Sequence, residues 1–301
     1  MRRPAGAEAV APAWIDAFLA EQALPASYLA TVEGVVLPLA ERVAAEARTR
    51  PSSFVLGLCG PQASGKSTMT LALARALEPQ GLSCAWLSID DLYLSRTARL
   101  ALAADVHPLL AVRGPPGTHD VALGLQVLDG LAGSGPTALP RFDKAADDRR
   151  PASTWPIVRD PPQVTIFEGW CVGARPQADA ELATPINRRE AEEDPDGVWR
   201  SYVNEALAGA YQTLFARIDH LALLAPPDFE VVVGWRQEQE RKLRARRQAA
   251  GQDPGRTMSD AEVARFVQLY ERLTRHILRE MPGRAETVIR LRSDRSPLAA
   301  R

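Results

Sequence analysis

The residues with the clearest chemical potential stand together at Gly60-Pro61-Gln62-Ala63-Ser64-Gly65-Lys66-Ser67, a stretch that fits G-x-x-x-x-G-K-[ST]. Glycines at both ends let the backbone turn several N–H groups inward, and the start of a following helix adds its partial positive charge. Lys66 can then reach the β- and γ-phosphates of a nucleotide, and the Ser67 hydroxyl can ligate Mg²⁺. Gly60, Ala63, Ser64, Gly65, Lys66, Ser67 and Thr68 are therefore the candidate phosphate contacts. The same eight-residue pattern also arises by chance as a glycine turn. Here it follows the apolar run at 54–59 and precedes an Ala/Leu helix at 68–77 without a breaker, which is where the mechanism requires it.

Further acids fall at the ends of two expected strands. Residues 82–89 read as a strand, with Asp90-Asp91-Leu92-Tyr93 directly after it. Strand, helix and strand make a βαβ unit, so the sheet should be parallel, with ligands bound beyond the carboxyl ends of its strands. At that edge Asp90 could take a proton from a hydroxyl attacking the γ-phosphate, or help hold Mg²⁺. A solvated turn or an N-cap is the structural alternative for both aspartates. Glu168 follows the short β-type run at 163–167, the Walker-B arrangement, in which the acid contacts Mg²⁺ directly or through water. Lys66, Asp90 and Glu168 are the candidate catalytic residues, and Ser67 and Glu168 the candidate metal ligands.

Cations for an acidic acceptor come from two loops. Residues 105–120 form a long Gly/Pro-rich segment, Arg113-Gly114-Pro115-Pro116-Gly117-Thr118-His119-Asp120 at its end, in which Thr118 or Asp120 could equally cap the helix expected at 121–131. Pro140-Arg141-Phe142-Asp143-Lys144 is a mixed-charge stretch of the kind usually just solvated, unless it crosses the strand ends. Arg113, His119, Arg141 and Lys144, with Asp90 and Tyr93, are the candidate acceptor contacts.

The surrounding elements are consistent with one α/β unit. Residues 1–12 are Ala/Pro-rich and read as frayed. Helical spacing from 14 to 48, punctuated by Pro25 and Pro38, predicts two or three short helices packed on the main domain. Residues 176–197 read as a surface excursion and 198–218 as a helix. A fourth strand is expected at 220–224, a helix at 229–247, a striped helix at 260–281 and a fifth strand at 287–291, with a tail beyond. The second half of the 229–247 helix is almost wholly polar. It is either a solvated helix with Glu–Arg pairs or a lid over about 229–257 that brings its arginines to the phosphates, with Arg236 as the candidate contact and Gly251–Gly255 as a flexible return.

Among 301 residues, 36 Lys+Arg against 37 Asp+Glu give a formal net charge of −1, which argues against a nucleic-acid partner. No apolar run is long enough to span a membrane, and three scattered cysteines (Cys59, Cys84, Cys171) form no zinc motif. The expectation is a cytoplasmic protein with reduced thiols. The fold expected is a P-loop NTPase of three α/β/α layers around a five-stranded parallel sheet, with a helical N-terminal extension over residues 1–50, a kinase domain over 51–301, and a helical lid. No N-K-x-D guanine signature is present. Small-molecule phosphoryl transfer from ATP–Mg²⁺ is the simplest reading.

The combination of Gly60–Ser67, Ser88-Ile89-Asp90-Asp91-Leu92-Tyr93, Arg113–Asp120, Pro140–Lys144 and Glu168-Gly169-Trp170 resembles the plant-type D-glycerate 3-kinase family, within the uridine kinase, phosphoribulokinase and pantothenate kinase group. Asn204-Glu205 with Tyr211, and Trp235-Arg236-Gln237-Glu238-Gln239-Glu240, extend the resemblance over roughly residues 54–291. It implies ATP-dependent phosphorylation of D-glycerate to 3-phosphoglycerate. It also implies that Asp90 activates the acceptor hydroxyl, Lys66 and Ser67 serve the phosphates, and Glu168 the metal. The alternatives are a nucleoside or other small-molecule kinase of the same group, a switch-type NTPase, and a nucleotide-binding regulator without catalysis. A switch or metallochaperone would often carry a Cys/His cluster, and a dead regulator would not need Lys66, Ser67, Asp90 and Glu168 together.

Overall fold

The computed structural model describes residues 12–251 and 257–298. The frayed start expected at 1–12 and most of the expected lid return fall outside that range, apart from Pro12 and Gly251. Five strands form one parallel sheet: β1 (Phe54–Cys59), β2 (Cys84–Ser88), β3 (Val164–Gly169), β4 (His220–Ala225) and β5 (Thr287–Arg290), in the spatial order β2-β3-β1-β4-β5. The phosphate-loop strand β1 is central, as expected for a doubly wound sheet.

Ten helices matter to the layout: α1 (Trp14–Glu21), α2 (Leu37–Ala47), α3 (Lys66–Leu77), α4 (Arg96–Asp105), α5 (Val121–Ala132), α6 (Arg188–Glu193), α7 (Val198–Ala208), α8 (Ala210–Phe215), α9 (Glu230–Ala249) and α10 (Asp260–Glu280). Side chains alternate across a strand, so β1 feeds two cores. Phe54, Leu56 and Leu58 join α3 and the N-terminal helices on one face, and Val55 and Cys59 join α5, α7 and α8 on the other. Ile15, Phe18, Val32, Val36, Leu39 and Val43 are all buried against the first face, at roughly 1.5–3 kcal/mol for each large apolar side chain. That burial holds residues 14–47 to the sheet.

Two local readings are corrected and a third is refined. Pro38 does not end the N-terminal helix: a π-type segment at Val32–Val36 leads directly into α2, with Pro38 in its first turn, where proline is tolerated. The helix expected over 198–218 breaks at Gly209, whose φ −87° and ψ −120° separate α7 from α8. Residues 176–197 do run over the surface, mostly exposed, but they are anchored: Glu190 and Asp194, both buried, pair with Arg272 at 2.7 Å and Arg200 at 2.9 Å. These buried pairs join the segment to α7 and α10, and removing one partner of either would leave an uncompensated buried charge.

Candidate active site

Sheet register gathers the chemistry at one edge. Leu58 of β1 and Ser88 of β2 both stand opposite Glu168 of β3, so Gly60, Asp90 and Glu168 leave the sheet at nearly one level. The loop after β1 needs its glycines for distinct reasons. A Cβ on Gly60 would lie 2.9 Å from Leu224 Cβ, and Gly65 takes φ +94° at the N-cap of α3. Ala63 also takes a left-handed φ of +57°. Inside the loop three donors converge on a single acceptor, the Pro61 carbonyl: the Lys66 ammonium at 2.9 Å, the Ser64 hydroxyl at 2.8 Å and, more distantly, the Ser64 N–H at 3.4 Å. Converging donors at a helix N-terminus are what an anion site consists of.

Beside the loop, the Ser67 hydroxyl lies 3.4 Å from Glu168 Oε1. Burial pushes the Glu168 carboxyl up, with Lys66 acting in the opposite sense. A hydroxyl and a carboxylate at this spacing are oxygen donors of the type that Mg²⁺ accepts. Among the described residues no group of three or more His, Cys, Asp or Glu is arranged to hold a metal. The Ser67 hydroxyl and the Glu168 carboxylate fit an ion that takes its other ligands from phosphate and water oxygens.

Asp90 is held on both sides. Tyr93 donates its hydroxyl to Oδ1 at 2.7 Å, and Lys144 donates to Oδ2 at 2.6 Å. Burial alone would raise the Asp90 carboxyl. Lys144, helped by Tyr93 and Lys66, outweighs it and brings it down to about 2. Asp91 does a different job, accepting the Phe142 N–H at 3.0 Å and pairing with Arg141 at 3.3 Å.

Lys144 reaches Asp90 because residues 137–158 fold into two nested two-stranded ribbons. Thr137–Ala138 pairs with Ile157–Val158, and Phe142–Asp143 with Asp148–Arg149. The ribbon tip is fastened by Arg99, only 1% exposed, which donates to the carbonyls of Leu94, Ala111 and Asp147 and pairs with the Asp147 carboxylate. The Pro140–Lys144 stretch thus does cross the strand ends.

The chain has relatives. No family model matches it. An uncharacterised kinase of Schizosaccharomyces pombe is 36% identical over 230 residues, 72% of this chain and 78% of that protein. The chloroplastic D-glycerate 3-kinase of Arabidopsis thaliana is 33% identical over 227 residues, 72% of this chain but 46% of its own length, so this chain spans about half of that relative. A solved D-glycerate 3-kinase from Cryptococcus neoformans superposes with a TM-score of 0.72 at 25% identity, covering 89% of this chain and 98% of that one. The chain belongs to the D-glycerate 3-kinase family of P-loop kinases.

Within this kinase the expected cations are differently disposed. Arg113 is paired with Asp147 and lies over the Phe142 ring at 5.6 Å. Arg141 is committed to Asp91 and the Pro140 carbonyl. His119 is no cation at neutral pH, since burial drives it down to about 4. It stacks on Tyr93 with centroids 4.8 Å apart, and its Nδ1 lies 2.6 Å from the Tyr211 hydroxyl. Asp120 proves to be the N-cap of α5, accepting the Leu123 N–H at 3.0 Å. Of the four candidates, Lys144 alone stands on the candidate base itself, and its side chain is 61% exposed. Arg236 is turned back along α9 onto Glu240 at 2.6 Å, and Glu240 also accepts the Met258 N–H at 3.0 Å. Thr68 sits half-buried in the first turn of α3.

Sequence reasoning missed Arg99, Asp147 and Arg295. The last donates to the Ala63 carbonyl in the phosphate loop at 2.9 Å and to Glu238 of α9 at 2.7 Å. Its left-handed turn, φ +70°, had no glycine to signal it.

Proposed function

We propose that this kinase transfers the γ-phosphoryl group of ATP to the 3-hydroxyl of D-glycerate, giving 3-phosphoglycerate. The observation that carries the reading is the single edge shared by the Lys66 cradle, Glu168, and an Asp90 paired with the exposed ammonium of Lys144. A cation beside the base suits an acceptor that is both an alcohol and a carboxylate, and the glycerate kinases among its relatives support that choice. A nucleoside acceptor finds less here, because Tyr93 and His119 already stack on each other.

In this reading Lys66 and the loop N–H groups bind the β- and γ-phosphates. Ser67 and Glu168 would hold Mg²⁺, which supplies charge neutralisation on the phosphate oxygens. Tyr93 orients Asp90, whose low-lying carboxyl stays ionised and takes a hydrogen bond, then the proton, from the acceptor hydroxyl. Lys144 meets the acceptor carboxylate from the ribbon. Helix α9 acts as the lid, with Arg236 leaving Glu240 to reach the phosphates on closure. Three free cysteines suit a reducing compartment, and we place the enzyme in the cytoplasm; no helix among the described residues is long and apolar enough to cross a membrane.

The Asp90→Asn variant tests the assignment. It should bind ATP as the parent does while turnover falls by orders of magnitude. Normal turnover would remove Asp90 from the role of base.

A further inference from the structure

The segment after β5 reaches back to the phosphate loop. Residues 290–298 make a tight reversal in which the Arg292 N–H reaches the Ser296 carbonyl at 2.8 Å and the Leu298 N–H the Arg290 carbonyl at 2.7 Å. At its tip Arg295 adopts φ +70°, a region that side-chain-bearing residues rarely enter. A glycine would take that conformation without strain, so a long cationic side chain there needs a reason in what it touches.

It touches two catalytic elements at once. Nε donates to the carbonyl of Ala63, the left-handed residue in the middle of the phosphate loop, at 2.9 Å. Nη2 donates to the Glu238 carboxylate of α9 at 2.7 Å, and the guanidinium lies 5.4 Å from the centroid of the Trp235 ring. Trp235 returns the contact by donating its indole N–H to the Ser293 carbonyl at 2.6 Å. Lys242 and then Arg295 draw the Glu238 carboxyl down to about 2, so it stays an anion for this pair.

The peptide unit gives the contact a consequence. In a trans peptide C=O and N–H point in opposite directions. Fixing the Ala63 carbonyl on Arg295 therefore turns the Ser64 N–H the other way, towards Pro61, where Lys66 and the Ser64 hydroxyl also converge. A planar guanidinium can serve a carbonyl and a carboxylate together, which an ammonium cannot do with the same geometry.

We propose that Arg295 is a positioning residue for nucleotide binding: a strut that sets the Ser64 N–H for phosphate and ties the phosphate loop to the base of helix α9. This rests on the phosphate-loop reading above but not on the identity of the acceptor.

The test is Mg·ADP binding by calorimetry, alongside steady-state kinetics, for the full chain and for Arg295→Met, Arg295→Lys, Glu238→Gln and the double variant that combines Arg295→Met with Glu238→Gln. Arg295→Met should weaken ADP about tenfold and raise KM for ATP to a similar degree, with KM for the acceptor unchanged. Arg295→Lys should recover part of the loss. Glu238→Gln should weaken ADP by a smaller factor, and the double variant should be no weaker than Arg295→Met alone. If the wild type binds ADP and both Arg295→Met and Glu238→Gln match it, the strut is wrong. Equal losses in kcat for every substrate with unchanged ADP affinity would likewise reduce Arg295 to a structural residue. A wild type that binds no ADP would overturn the phosphate-loop reading, and the strut with it.

Discussion

The Lys144 ammonium lies 2.6 Å from Asp90 Oδ2, carried there by a β-ribbon whose own fastening, Asp91 to the Phe142 N–H, comes from the residue next to Asp90. Adjacent aspartates thus divide the work: one pairs with the Lys144 ammonium, the other holds the strand that brings that ammonium to it. That division, and the burial around it, can be tested one residue at a time.

Lys144→Met removes the strongest influence holding the Asp90 carboxyl down to about 2, so that carboxyl must rise. The sign is fixed: a base that is protonated at higher pH loses activity at higher pH. The acid limb of kcat/KM should therefore move upward in the variant, towards the ordinary carboxylate range. A pH–rate profile checks it, and an unmoved limb would mean that the pair seen here does not set the ionisation of Asp90.

Glu168→Gln should separate catalysis from stability. Burial raises the Glu168 carboxyl, so its charged form costs folding free energy at neutral pH. That cost builds up as pH rises from the ordinary carboxylate value through the higher folded-state value. The amide should leave stability unchanged or improved in urea melts without Mg²⁺, while turnover falls about 10²-fold or more. A strongly destabilised variant would contradict this.

His119 predicts an acid-side weakness. Burial lowers it from 6.5 to about 4, so the unfolded chain binds the proton first as pH falls. Its contribution is intact above about pH 6.5 and is lost towards pH 4, amounting to roughly 3 kcal/mol. Urea midpoints across that window should fall less steeply for His119→Gln than for the parent; parallel slopes would refute the assignment.

Asp91→Ala should act through the ribbon. It orphans the Phe142 N–H and leaves Arg141 without its carboxylate, at a cost of about 1–3 kcal/mol. KM for the acceptor should rise about tenfold while KM for ATP stays near the parent value. A loss confined to ATP would place Asp91 in the nucleotide site instead.

The fold was largely legible because its signals are local. A buried six-residue strand, the glycine spacing of 60–67 and acids directly after two strands can all be read along the chain, and register alone then brings Asp90 and Glu168 together. The cations were legible as residues but not as partners. Nothing in the sequence order says that Arg113 meets Asp147 or that Arg141 meets Asp91, whereas the Arg236–Glu240 pair is the four-residue helical spacing that the solvated-helix reading allowed. The ribbons consist of two-residue strands, too short to show a period, and their anchor Arg99 reads in sequence as one more surface charge on a helix. Arg295 was invisible for a related reason: its partners are 57 residues before it in α9 and 232 residues before it in the phosphate loop.

Glycerate phosphorylation is tested most directly by Mg²⁺-dependent ATP consumption by the purified protein with D-glycerate, L-glycerate, glycerol, uridine and pantothenate offered singly. Strong stimulation by D-glycerate is expected, with 3-phosphoglycerate as product and little response to glycerol, which has the hydroxyl but no carboxylate for Lys144. Stimulation by uridine or glycerol to the exclusion of D-glycerate would contradict it, as would slow hydrolysis indifferent to every acceptor.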